Sequence, residues 1–150
     1  MSSCDESAES ISAAAGAQHL TVATAESSTS GRISPVLGAA TSSSEGSRGS
    51  IVASACSVKH GLLQVPEGPV VSEPSARAIA SVAELFGADV AVTGAGGPQP
   101  EGGRPTGTVW FGIFAGGAAG TELRHVDGDP DGWWRRPPST RCACGDALDR

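Results

Sequence analysis

Two stretches of this chain carry residue types that hold small polar ligands. The first is Leu20–Gly31, LTVATAESSTSG, where an apolar run gives way to Glu26, Ser27, Ser28, Thr29 and Ser30 and closes on Gly31. The second, TGAGGPQPEGG at Thr93–Gly103, leaves another apolar run and holds Thr93, Gly94, Gly96 and Gly97. Hydroxyls and a carboxylate supply hydrogen-bonding groups, and glycines let a backbone approach a ligand closely. A polar turn at the carboxyl end of a buried strand aims backbone N–H groups and the next helix start at one crevice. Two such turns suggest a single cleft for a small anionic or amide-bearing ligand. Between them lie Thr41–Ser50, TSSSEGSRGS, and Lys59, the only lysine beside nine arginines. By composition alone, the hydroxyl-rich stretch reads as a solvated loop and Lys59 as a surface side chain.

The elements that must position these residues can be read in order. Ser7–Gln18 is alanine-rich, with Ile11 its only large apolar residue, and predicts a weakly anchored helix. Leu20–Ala25 reads as a strand, Arg32–Ala40 as a helix provided Pro35 falls in its first turn, and Ile51–Ala55 as a short strand. Ser57–Leu63 allows a helical turn carrying Lys59. Ser72 is a good N-cap, Glu73 and Pro74 suit a first turn, and apolar residues from Ala76 to Phe86 recur at helical spacing until Gly87. Ala88–Val92 is a strand, and Gly107–Ala115 pairs back on Thr121–Val126 through Gly116-Gly117 as a hairpin. This order predicts one three-layer α/β/α domain with a mixed sheet. It spans residues 8–129, and the remainder, 130–150, has no helical or strand period and reads as an irregular tail.

Bulk composition narrows the function. A net charge of −6 argues against a nucleic-acid partner, which would require clustered Lys and Arg. No apolar run approaches the ~20 residues of a membrane span, and no basic-then-apolar leader opens the chain, so a cytoplasmic location is expected. Cys142 and Cys144 lack metal-knuckle spacing, and His19, His60 and His125 are isolated, so no metal site is expected.

With those stretches in view, the chain resembles the CinA C-terminal domain family. The blocks that carry the likeness are TAESSTSG at Thr24–Gly31, VSE at Val71–Glu73, GADVAVTGAGGP at Gly87–Pro98, PTGTVWFG at Pro105–Gly112 and GD at Gly128-Asp129. The resemblance implies a nicotinamide-nucleotide amidase of pyridine-nucleotide salvage, which hydrolyses the carboxamide of nicotinamide mononucleotide to nicotinate mononucleotide and ammonia. It also implies a serine nucleophile and a lysine base, with no metal or organic cofactor. Counting on from the first block without gaps places the nucleophile at Ser44, with Ser42 and Ser43 as alternatives, and the base at Lys59. Glu26, Ser27, Thr29, Gly31, Thr93, Gly94 and Gly97 would line the nucleotide. A homodimer is the family's habit. The pattern has a tyrosine where this chain has Ser54 and an arginine where it has Pro130. That difference motivates a second reading, a degenerate domain that binds a nucleotide or a partner without turnover.

Overall fold

The computed structural model describes residues 3–27, 31, 33–41, 43–96 and 103–125. Its helices are α1 (Ser3–Ala17), α2 (Ile33–Ala39), α3 (Ser43–Gly46), α4 (Cys56–Leu63), α5 (Glu73–Ala80) and α6 (Val82–Phe86). Its strands are β1 (Val22–Glu26), β2 (Ser47–Val52), β3 (Val90–Gly96), β4 (Thr108–Ala115) and β5 (Ala118–His125). They form a mixed five-stranded sheet in the order β2-β1-β3-β4-β5. β1 is parallel to β2 and β3, whereas β3, β4 and β5 run antiparallel in turn. The carboxyl ends of β1, β2, β3 and β5 therefore share one edge of the sheet with the start of β4.

The strand alternation sorts side chains onto two faces. Ala23, Ala25, Ala91 and Ala95 meet Ala76, Ile79, Val82 and Ala83 of α5 and α6 in the main core. Val22 and Val90 point the other way and meet Ala15 of α1, with Ile11, Leu20 and Val92 packed around them. Helices thus cover both faces, and the core is built largely from alanine and valine. One close approach sets the thickness of the α5 layer. A β-carbon on Gly112 of β4 would collide with the carbonyl oxygen of Ala76, so only glycine lets the helix settle this close.

Local chemistry explains the helix boundaries. Ser72 caps α5 by accepting the Ser75 N–H at 3.3 Å, with Pro74 in the tolerated first turn. The periodicity running on to Phe86 predicts one helix, but the structure breaks it at Ser81. That hydroxyl donates to the Ala78 carbonyl at 2.6 Å, a local bond that competes with continued helix. Gly87, at φ +60°, then ends α6. The solvated-loop expectation for Thr41–Ser50 also changes. Ser43–Gly46 makes one turn of helix, and β2 begins at Ser47 rather than Ile51. β2 is an edge strand with mostly exposed or half-buried side chains, so its serines and Arg48 need no apolar alternation. The tail over 130–150 lies outside the described residues, as do Ser28, Thr29, Ser42 and Gly97.

Candidate functional site

The carboxyl edge of the sheet is where the ligand-type residues gather. β1 delivers Glu26 and then Ser27 there. Glu26 is 2 % exposed, and its carboxylate accepts the N–H groups of Ile33 at 3.1 Å and Ser34 at 2.8 Å. It therefore satisfies two orphan donors at the start of α2, where a negative charge also suits the helix dipole. That bond closes the turn containing Gly31, which sits at φ +81° beside Val52. The Glu26 backbone carbonyl accepts Ala53 N–H at 2.8 Å, which ties the end of β1 to the exit from β2.

From that exit the chain enters α4, whose inward face holds Lys59 and Leu63, while Val58 and Leu62 face solvent. Lys59 is only 5 % exposed, and its Nζ donates to the Ser54 carbonyl at 3.2 Å. An ammonium has three donors, so two are left without a partner among the described residues. The helix is held at its far end by a Gln64 cap at φ +54° and by a bond between His60 Nδ1 and the Val65 carbonyl at 2.7 Å. Those contacts hold the carboxyl end of the helix that carries Lys59.

β3 brings Thr93 and Gly94 to the same edge. Thr93 lies opposite Ala25 in the ladder, two residues before Ser27. Its Oγ1 is buried without a hydrogen-bond partner among the described residues. Thr93 shares the α5 face with Ala25, and continued alternation from Ala25 carries Ser27 to that side as well. Beyond Gly96, Arg104 lies in the turn leading into β4, with its guanidinium 5.9 Å from the centre of the Trp110 ring.

The structure brings Ser27, Lys59, Thr93 and Gly94 to one edge and does not bring Ser44 there. Ser44 is exposed on α3, which precedes β2, whereas Lys59 follows that strand. Six residues of extended chain separate the two ends by roughly 16 Å at ~3.3 Å per residue. Ser43, beside it, donates to the Gly38 carbonyl at 2.6 Å and borders a cavity of about 220 Å³ between α1 and the amino ends of the strands. That cavity, lined also by Ile11, Leu20, Val22 and Thr24, is not bordered by Lys59. The sequence named Ser27 as a ligand contact rather than as a reacting hydroxyl. The signal that singles it out is its position immediately past the last residue of a buried strand. The Ser54 carbonyl, being backbone, left no signal in side-chain chemistry. Among the described residues no group of three or more His, Cys, Asp and Glu side chains could hold a metal ion. No helix among them is long and apolar enough to cross a membrane.

Comparison with known proteins supplies the context for this edge. The family model for the CinA C-terminal domain matches residues 4–136. A CinA-like protein of Mycolicibacterium vanbaalenii is 41% identical over 118 residues, which is 72% of this chain and 28% of that protein. The chain spans about a quarter of the length of the curated relatives it matches. A crystal structure of a CinA superfamily protein from Klebsiella pneumoniae superposes with a TM-score of 0.82 at 26% identity, covering 99% of this chain and 94% of the other. One from Escherichia coli gives 0.80 at 28% identity, covering 99% and 90%.

Proposed function

This chain belongs to the CinA C-terminal domain family, and from that premise we propose that it is a nicotinamide-nucleotide amidase working through a serine and a lysine. The observation that carries the reading is the burial of the chain's single lysine at the carboxyl edge, with its amine on the Ser54 carbonyl two residues past the end of β2. A serine hydroxyl barely ionises near neutral pH and needs an adjacent base to attack an amide carbon. In this reading the Lys59 ammonium first gives up a proton to solvent, and Ser27 Oγ then attacks the carboxamide carbon of nicotinamide mononucleotide while its own proton passes to the freed amine. The tetrahedral intermediate collapses when Lys59 returns that proton to the leaving nitrogen, releasing ammonia. Water then hydrolyses the acyl-serine to nicotinate mononucleotide and free Ser27. Arg104, in the turn that leads into β4 at this edge, is the side chain we assign to the nucleotide phosphate, given Pro130 where the family pattern has an arginine.

The test is ammonia release from nicotinamide mononucleotide by the full chain and by Ser27→Ala, Ser44→Ala and Lys59→Ala. The reading expects turnover in the parent and in Ser44→Ala, and loss of at least about 10²-fold in the other two. Turnover that survives both Ser27→Ala and Lys59→Ala would end it. A thermal shift with the nucleotide but no ammonia would assign the chain to the binding-only alternative.

A further inference from the structure

We propose that the cavity at the amino ends of the strands is a second small-molecule site, shaped for a ring that carries a short ammonium arm. It holds about 220 Å³ between α1, α2, α3 and the first two strands. A cavity of roughly 150 Å³ is enough to admit a benzene ring. The sheet separates this space from Lys59. Val22 and Thr24 border it from one face of β1, whereas Ala25 and the α4 residue Leu63 belong to the core on the other face. A ligand held here leaves the carboxyl edge free for a different molecule.

One side of the wall is apolar, made by Ile11 and Ala15 of α1, Leu20, Val22 of β1 and Leu37 of α2. The other side offers oxygen atoms that accept but do not donate. A hydroxyl has one hydrogen, and four hydroxyls bordering the cavity already direct theirs into the fold. Ser12 Oγ donates to the Thr41 carbonyl, and Ser43 Oγ to the Gly38 carbonyl at 2.6 Å. Thr21 Oγ1 donates to Asp89 Oδ2 and Thr24 Oγ1 to Ser50 Oγ, each at 2.8 Å. These four have only lone pairs to present to a ligand. Thr21 Oγ1 also accepts the Asp89 N–H at 3.2 Å, so its remaining capacity is the smallest. Ser34 and Ser47 border the space as well and can serve in either sense.

Charge points the same way. Glu45 of α3 adds a carboxylate to the lining, which holds no lysine or arginine among the described residues, and His19 is its one other ionisable side chain. Acceptors beside a carboxylate favour a cationic ligand rich in N–H donors and repel a carboxylate or phosphate. An ammonium supplies three donors, and the ring attached to it covers the apolar side. The same pattern rejects the anionic nucleotide assigned to the opposite edge of the sheet.

Amide shifts in NMR spectra of the full chain, titrated with benzylamine, benzyl alcohol or benzoate, test this. The three probes share one ring and differ in the group beside it. Benzylamine is expected to saturate with a Kd on the order of 1 mM, moving the amides of Ala15, Leu20, Val22 and Gly46. Benzyl alcohol is expected to bind about two- to fivefold more weakly, and benzoate not measurably. Glu45→Gln, an exposed change that spares the core, is expected to bring benzylamine down to the affinity of the alcohol. Ser12→Leu fills the space and removes an acceptor, and is expected to abolish binding of both. Should it fail to fold by circular dichroism, Glu45→Gln with the three probes still decides. Absence of saturable shifts with benzylamine, benzoate binding as tightly as benzylamine, or shifts confined to the carboxyl edge would overturn the proposal. So would a benzylamine affinity unaltered by Glu45→Gln, or a folded Ser12→Leu that still binds it.

Discussion

Glu26 and Lys59 are the two charged side chains that the fold buries among its described residues, at 2 % and 5 % exposure. They sit near each other along the same sheet edge, yet they are treated in opposite ways. Glu26 accepts two backbone N–H groups and holds the entrance to α2 in place. Lys59 has one backbone carbonyl and two further donors with no partner among the described residues. A buried charge with its hydrogen bonds met is architecture, since removing it strands the donors it served. A buried charge with capacity to spare adds less to the fold and has donors left for a ligand. The contrast separates a residue that shapes the site from one fitted to work in it.

The sharpest way to break this comparison is Lys59→Met, which keeps the apolar stem and removes the amine. Activity should fall by about 10²–10⁴-fold. Stability in urea should change by no more than about 1 kcal/mol, because an apolar group replaces an incompletely satisfied buried charge. The mirror experiment is Glu26→Ala, which leaves the Ile33 and Ser34 N–H groups without their acceptor. It should lower unfolding stability by roughly 2–4 kcal/mol. If Lys59→Met destabilises as much as Glu26→Ala, the two residues play the same role and the distinction fails.

A third carboxylate sharpens the comparison from the solvent side. Asp89 is exposed, and its Oδ2 accepts both the N–H and the hydroxyl of Thr21 at 2.8 Å. Those hydrogen bonds, the backbone one foremost, hold its carboxyl below the usual carboxylate range. A depressed folded-state value contributes stability above the ordinary Asp range near ~3.9, and that contribution is lost as pH falls through the lowered value. Asp89→Asn should therefore reduce the drop in Tm between neutral and acid pH, read by thermal melts across that window. The smallest expected effect is Gly16→Ala in α1. A β-carbon there meets nothing within 4 Å, so the change should add about 0.4–1 kcal/mol to unfolding stability without touching activity.

The parts of the fold that were legible in the sequence are those with local punctuation. Ser72, Glu73 and Pro74 announce α5, and Gly116-Gly117 announces the hairpin of β4 and β5. The LTVATAE run marks β1 and the edge to which it leads. β2 was only half legible, because an edge strand with exposed side chains carries no apolar alternation. That same obscurity hid the place of Ser44. Read as a solvated loop, residues 41–50 could return to the Lys59 side; formed as α3 and then β2, they leave Ser44 at the far end of a strand from it. Lys59 drew attention as the lone lysine, but its burial comes from α4 packing and its partner is a backbone atom, neither of which composition encodes.

The missing β-carbon at Gly112 reaches further than the strand that bears it. α5 rests on that bare backbone, and α4, which carries Lys59, leans in turn on α5. A methyl group at 112 would have to lift one helix and would tilt the next. The amine would shift although nothing near it had been altered, and displacements of about 1 Å can slow a reaction on the order of 10²-fold. Gly112→Ala is therefore expected to fail in kcat before it fails to fold, making the absence of one carbon atom in the middle of the sheet a determinant of where the buried Lys59 amine sits.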